Sequence, residues 1–317
     1  MMGRNAYKDR DPLNPPWLAD VRRGHVTSRD GTRIAYDAVG EGGATILLAN
    51  GLGGRLFAWE PLITALLPGY RFVTWDYRGL FDSDMPERRH RLAVRYHVDD
   101  AIAVLDAEGG GGAAAAVVGW SMGVQIGLEL AATHPERVRG LVLMNGTYGH
   151  ALSTGFQPLF SMRFVPKRLH ATVEWLRARP GAAGALAFAA RGAELPVTTM
   201  LALTAGARAP LLRHFVRRYF DGVLGPCFGN YLRLFQELDA HSAYHLLPEI
   251  KAPALVVCGA LDVLTPAYQS REMARRMPRA ELLALRRASH FALLERPELL
   301  VPRVASFLQG LGGAPSL

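Results

Sequence analysis

The stretch from Ala113 to Ala131 constrains the fold more than any other part of the chain. Ala113 to Val118 is a short apolar run, long enough for one buried strand. Val124-Gln125-Ile126-Gly127-Leu128-Glu129-Leu130-Ala131 follows with its apolar residues at helical spacing. Between them lies Gly119-Trp120-Ser121-Met122-Gly123, so Ser121 falls on a sharp strand-to-helix turn. Such a turn is strained, and small residues two before and two after the serine let the chain reverse without clashing. The turn exposes the serine oxygen and aims the backbone N–H of Met122, at a helix N-terminus, toward any oxyanion formed beside it.

A bare G-x-S-x-G can arise by chance in a chain with 33 glycines, so a nucleophilic serine there needs partners elsewhere in the chain. A serine hydroxyl is a weak nucleophile at neutral pH and requires a base within hydrogen-bond reach, itself oriented by a carboxylate. Asp262 ends the apolar run Ala254 to Cys258 and precedes Val263-Leu264-Thr265-Pro266. His290 follows the last apolar stretch, Ala280 to Leu285, and precedes a closing helix from about Pro297 to Leu311. Both are predicted loop residues at the carboxyl ends of strands, where open parallel sheets place their ligands. The other common place for the acid, just after Val138 to Met144, holds Asn145 and offers no carboxylate.

Ser, then Asp, then His, with an elbow of this kind, resembles the α/β-hydrolase superfamily, and the likeness runs from about residue 24 to 311. It includes Asp76-Tyr77-Arg78-Gly79-Leu80-Phe81-Asp82-Ser83-Asp84, similar to the family's D-x-R-G-x-G-x-S turn, with Phe81 where glycine is usual. Leu294-Glu295-Arg296-Pro297-Glu298 is similar to the segment that follows the family's catalytic histidine. The resemblance implies Ser121 as nucleophile, His290 as base and then acid, and Asp262 as its orienting carboxylate. A second departure is Asn50-Gly51-Leu52-Gly53-Gly54, where the family normally has His-Gly. By position the backbone N–H of Leu52 is the second oxyanion donor beside Met122. Asn50 is read as bracing that loop through its amide, the other use of the space being a water or a substrate group.

Strand and helix patterns alternate through residues 71–145, which predicts parallel βαβ units after a hairpin at 24–39 turned by Asp30-Gly31. The alternation stops at Asn145 and resumes at Ala254. Between them, helical periodicity around 171–176, 211–216 and 231–235 with Pro and Gly breaks predicts a helical lid inserted after the sixth strand. The expected organisation is an N-terminal extension (1–23), an α/β core (24–146 and 251–317) with a mostly parallel sheet flanked by helices, and a lid (147–250). Pocket candidates are Asn50, Trp120 beside the serine, and Thr147 and Phe156 near the start of the lid.

Composition excludes several alternatives. Residues 147–249 hold eleven Arg and Lys against six Asp and Glu, but these are scattered and match no nucleic-acid-binding motif. A solvated helical surface accounts for them, with attraction of an anionic substrate or lipid surface as the other use. Cys227 and Cys258 imply neither a disulfide framework nor a metal cluster. His241 and His245 have the spacing of a helical metal pair, yet Ser242 replaces the glutamate of H-E-x-x-H, so no metal is expected. The start of the sequence lacks the apolar segment of a signal peptide, and no apolar run approaches a bilayer's thickness. The expectation is a soluble, cytoplasmic enzyme without cofactor, stable membrane insertion or nucleic-acid partner, its oligomeric state open. Its substrate would be a small-to-medium, mainly apolar carboxylic ester or thioester. The alternatives are an acyltransferase using the same acyl-serine, a homologue that only binds ligand, and a secondary cofactor-free haloperoxidase-like activity.

Overall fold

The computed structural model describes residues 14–312 apart from 42, 110–111, 152–164, 195, 200–208 and 226. In chain order the elements are β1 (Arg22–Thr27), β2 (Arg33–Val39), β3 (Ala44–Ala49), α1 (Glu60–Leu66), β4 (Tyr70–Trp75), α2 (Val94–Gly109), β5 (Ala115–Trp120), α3 (Met122–Thr133) and β6 (Val138–Met144). Among the described residues, α4 (Val165–Arg177), α5 (Pro180–Ala190), α6 (Ala209–Val223) and α7 (Phe228–Ala240) follow. The chain then forms β7 (Ala254–Gly259), α8 (Ala267–Arg276), β8 (Ala280–Leu285), α9 (Ala292–Glu295) and α10 (Pro297–Gly310).

The eight strands form one sheet in the order β1-β2-β4-β3-β5-β6-β7-β8. β1 pairs antiparallel with β2, and β2 with β4; the remaining pairs are parallel. Every residue of β5 and β7 is buried, as expected of strands covered on both faces. Side chains alternate between two cores because successive strand residues point to opposite faces. Ile46, Leu48, Phe72, Val118 and Val142 pack with Leu62 and Ile63 of α1 and Val304 and Leu308 of α10. Leu47, Val73, Val117, Leu141 and Val256 pack with Val98 and Leu105 of α2 and Ile126 and Leu130 of α3. Strand β5 runs between β3 and β6, so the turn bearing Ser121 emerges in the interior of the sheet.

The first strand begins at Arg22, two residues inside the expected N-terminal extension. The 3-10 turn Pro16–Asp20 before it is tied down: Trp17 is buried and its indole N–H donates to Thr64 Oγ1 of α1 at 2.8 Å. Phe81 takes φ +52°, the left-handed conformation that glycine adopts without strain. Its ring lies against Gly222 of α6, with the Arg55 guanidinium 4.7 Å from its centroid. Nearby, Asn230 of α7 donates to the Gly79 carbonyl at 2.8 Å. The helices between β6 and β7 thus rest on the Asp76–Asp84 turn. Among the described residues, no helix is long and apolar enough to cross a membrane.

Candidate active site

Ser121 sits between β5 and α3 with φ 56° and ψ −114°. A non-glycine residue held there costs on the order of 1–3 kcal/mol and persists only where its surroundings over-determine it. Here they do: a Cβ on Gly123 would strike the Ala49 carbonyl, and one on Gly119 would strike the Gly123 carbonyl. Backbone bonds from Ser121 N to Met144 O (3.1 Å) and from Val124 N to Ser121 O (3.0 Å) close the turn.

Asp262 and His290 come together although 28 residues separate them. His290 Nδ1 lies 3.0 Å from Asp262 Oδ2 and 3.3 Å from Thr265 Oγ1. Asp262 is 5% exposed and its carboxylate is fully supplied with donors. The N–H groups of Leu264 and Thr265 donate to Oδ1, both at 2.9 Å. Thr265 Oγ1 donates to Oδ2 at 2.7 Å and Asn145 Nδ2 donates to it at 2.9 Å. Burial pushes this carboxyl up, but the neighbouring imidazole and these hydrogen bonds outweigh it and hold Asp262 below the ordinary value of 3.8. The carboxylate therefore stays ionised, as an orienting group must.

The loop carrying His290 has its own support. Glu295 is fully buried and accepts from Ser289 N–H at 2.5 Å and Ser289 Oγ at 2.8 Å. Asn145 donates a second time, to the Ser289 carbonyl at 2.9 Å. Trp120 Nε1 donates to the His290 carbonyl at 2.9 Å, and its ring centroid lies 5.6 Å from the imidazole. Ser121's neighbour in sequence thus bridges the serine turn to the histidine loop. Two carboxylates of the Asp76–Asp84 turn are engaged elsewhere: Arg23 and Arg55 pair with Asp76 and Asp82 at 2.9–3.2 Å. Burial pushes Asp76 up to about 6, the two arginines pulling it back only in part.

Asn50 points into the protein. Its Nδ2 donates to Thr74 Oγ1 (2.8 Å) and the Trp75 carbonyl (3.0 Å), and its Oδ1 accepts from Trp59 Nε1 (2.7 Å). Of the two uses open to it, this is the bracing arrangement. Leu52 and Met122 are both buried beside the turn. Thr147 is 2% exposed and donates to the Gly149 carbonyl (2.6 Å) and Gln269 Oε1 (3.1 Å), so it holds the root of the inserted helices instead of forming pocket wall. Phe156 lies outside the described residues. His241 places Nδ1 2.7 Å from Gln125 Oε1 and Nε2 3.1 Å from Glu129 Oε2, and no group of metal-ligating side chains occurs among the described residues.

The surround of the site is aromatic. Phe215 and Tyr219 of α6 lie within 6.2 and 6.3 Å of the Trp120 ring, and Phe291 within 5.7 Å. Trp120, Phe215, Phe291, Leu293 and Met144 line a cavity of about 20 Å³, room for one water and no more. Sequence periodicity placed Phe215 on a helix but carried no sign that its ring would meet Trp120. Asn145, Thr265 and Glu295 had only their positions beside the three loops as signals.

A family profile described as alpha/beta hydrolase fold matches residues 44–297. The chain is similar to the Mycobacterium tuberculosis protein named as non-heme bromoperoxidase BpoC, 30% identical over 86% of this chain and 97% of that protein. It is 28% identical to the Caulobacter vibrioides protein named as carbamate hydrolase RutD, over 92% of this chain and all of the other. Among solved structures, it resembles the enol-lactonase from Burkholderia xenovorans LB400 with a TM-score of 0.70 and 27% identity, covering 90% of this chain and 100% of that one.

Proposed function

The chain belongs to the alpha/beta hydrolase family, and from that premise we propose that it is a serine hydrolase cleaving a small-to-medium, mainly apolar carboxylic ester or thioester through an acyl-enzyme. The observation that carries the reading is the Asp262–His290 pair, closed at 3.0 Å and tied by Trp120 to the strained turn that presents Ser121. With Nδ1 turned to Asp262, the imidazole keeps Nε2 for the serine hydroxyl. Ser121 Oγ attacks the acyl carbon as His290 takes its proton. The backbone N–H groups of Leu52 and Met122 hold the oxyanion, and His290 returns the proton to the departing alcohol or thiol. Water then releases the acid by the same steps. Asp262 keeps the imidazole in the correct tautomer and stabilises its cation.

The aromatic surround favours an apolar acyl group, and the inserted helices act as the lid that sets its length. A cyclic ester falls within the same chemistry, as in the enol-lactonase that the fold resembles. The test is a panel of p-nitrophenyl esters of increasing acyl length, with Ser121→Ala as blank. Saturable hydrolysis that peaks at one chain length and vanishes in the blank is expected. Hydrolysis unchanged in the blank would overturn the reading.

A further inference from the structure

The loop Asn50–Gly54 is tied from three sides. Tyr77 Oη donates to the Asn50 carbonyl at 2.5 Å, and Gly54 N–H donates to the Gly51 carbonyl at 2.7 Å. The third tie comes from the lid. Tyr219 Oη of α6 donates to the Leu52 carbonyl at 2.7 Å and lies 3.3 Å from Tyr231 Oη of α7. Tyr219 has a single proton, committed to Leu52, so Tyr231 is the donor between the two hydroxyls. Burial pushes both phenols above the ordinary value of 10.0, so both remain neutral donors. The fit is close: a Cβ on Gly53, whose φ is +84°, would strike Val223 of α6. The Tyr219 ring is held separately, stacked on Phe215 at 6.0 Å and 19°.

A donor helps an oxyanion only when fixed about 2.7–3.1 Å from where that oxygen will sit, so a loop free to rock loses much of its effect. We propose that Tyr219, with Tyr231 behind it, is a positioning residue that fixes the Leu52 backbone as the second oxyanion donor, so that the lid completes the oxyanion hole as well as the pocket. This rests on the proposed role of Ser121 and of the Leu52 N–H.

Tyr219→Phe keeps the ring stack and removes only the hydroxyl. Two probes read the result: hydrolysis of a p-nitrophenyl ester, and inhibition by an alkyl trifluoromethyl ketone. In the second, Ser121 Oγ adds to the ketone carbon, the carbonyl π pair becomes the bound oxyanion, and the serine proton passes to His290. Tyr219→Phe should lower kcat about 10- to 100-fold with KM within about twofold, and raise the ketone's inhibition constant in parallel. Tyr231→Phe should shift both the same way by a smaller factor, and it carries the test alone if Tyr219→Phe fails to fold. The proposal is overturned if kcat and ketone inhibition stay within about twofold of wild type, or if only KM rises. A Ser121→Ala protein that still hydrolyses the ester would instead overturn the reading of the site. Loss of activity in Ser121→Ala beside an unaffected Tyr219→Phe overturns the clamp alone.

Discussion

Asn145 stands at the carboxyl end of β6, where a hydrolase of this kind can carry its acid, and from there it donates to Asp262, the acid proposed above. One amide nitrogen bridges Asp262 Oδ2 and the Ser289 carbonyl, so it couples the carboxylate to the loop that bears His290. Asn145→Ala should lower kcat roughly tenfold with little change in KM, because the bonds lost position the proposed acid and the loop of the proposed base. Asp262→Asn should cost about 10⁴ in kcat through the wrong imidazole tautomer; an equal loss in Asp82→Asn would show that the acid has been misassigned. The sign of the pH effect follows from the lowered Asp262 value. Its contribution to stability is present above the ordinary carboxylate range and is lost as pH falls through the folded-state value. Removing the Asn145 donor should therefore raise the pH at which the fold is lost in an acid-unfolding titration; a lower midpoint would contradict the hydrogen-bond account.

Helix α6 does two jobs with residues one turn apart. Tyr219 reaches the loop of Leu52, while Phe215 stands 6.2 Å from Trp120 and lines the small cavity beside that ring. We propose Phe215 as a residue that sets acyl length, beside the pocket candidate Phe156, which lies outside the described residues. Phe215→Ala should shift the preferred chain toward longer acids, since each methylene accommodated is worth about 1–3 kcal/mol in discrimination. Labelling of Ser121 by a fluorophosphonate should survive. Loss of labelling together with stability, and no change in preference, would make α6 structural support only. Elements with a strong period were legible: α2 and α3, the strands from β3 to β8 and the closing helix lie within a few residues of where the sequence put them. Helices α5 and α8 were not, because Pro180–Ala190 is nearly all small and apolar, with no face to read, and Ala267–Arg276 is mostly polar. The Asp262–His290 contact and the turn at Ser121, on which the proposed triad rests, were legible because strained turns and strand ends demand particular residues. The aromatic surround was not, since it depends on how the helices after β6 dock.

Across the whole molecule, acid stability should be governed in part by His97 of α2. It is fully buried, its Nε2–H reaches the Leu92 carbonyl at 3.2 Å, and its Nδ1 has no hydrogen-bond partner among the described residues. Burial, with the Arg78 charge, pushes it down from 6.5 to about 3. A histidine held neutral in the fold adds stability that is present above its unfolded value of about 6.5 and is lost as pH falls toward the folded one, at about 1.4 kcal/mol per pH unit. Urea unfolding at pH 7 and 4.5 should show a smaller acid loss for His97→Gln than for wild type; equal losses would contradict it. The proposed chemistry rests on one serine on a strained turn. Its most direct measurement is single-turnover acylation by the best p-nitrophenyl ester, with the acylated residue located by mass spectrometry in wild type and Ser121→Ala. A stoichiometric burst with the acyl group on Ser121, and in Ser121→Ala no adduct and a rate lowered by about 10⁴–10⁶, is expected. An adduct elsewhere, or turnover in Ser121→Ala within about tenfold of wild type, would contradict it.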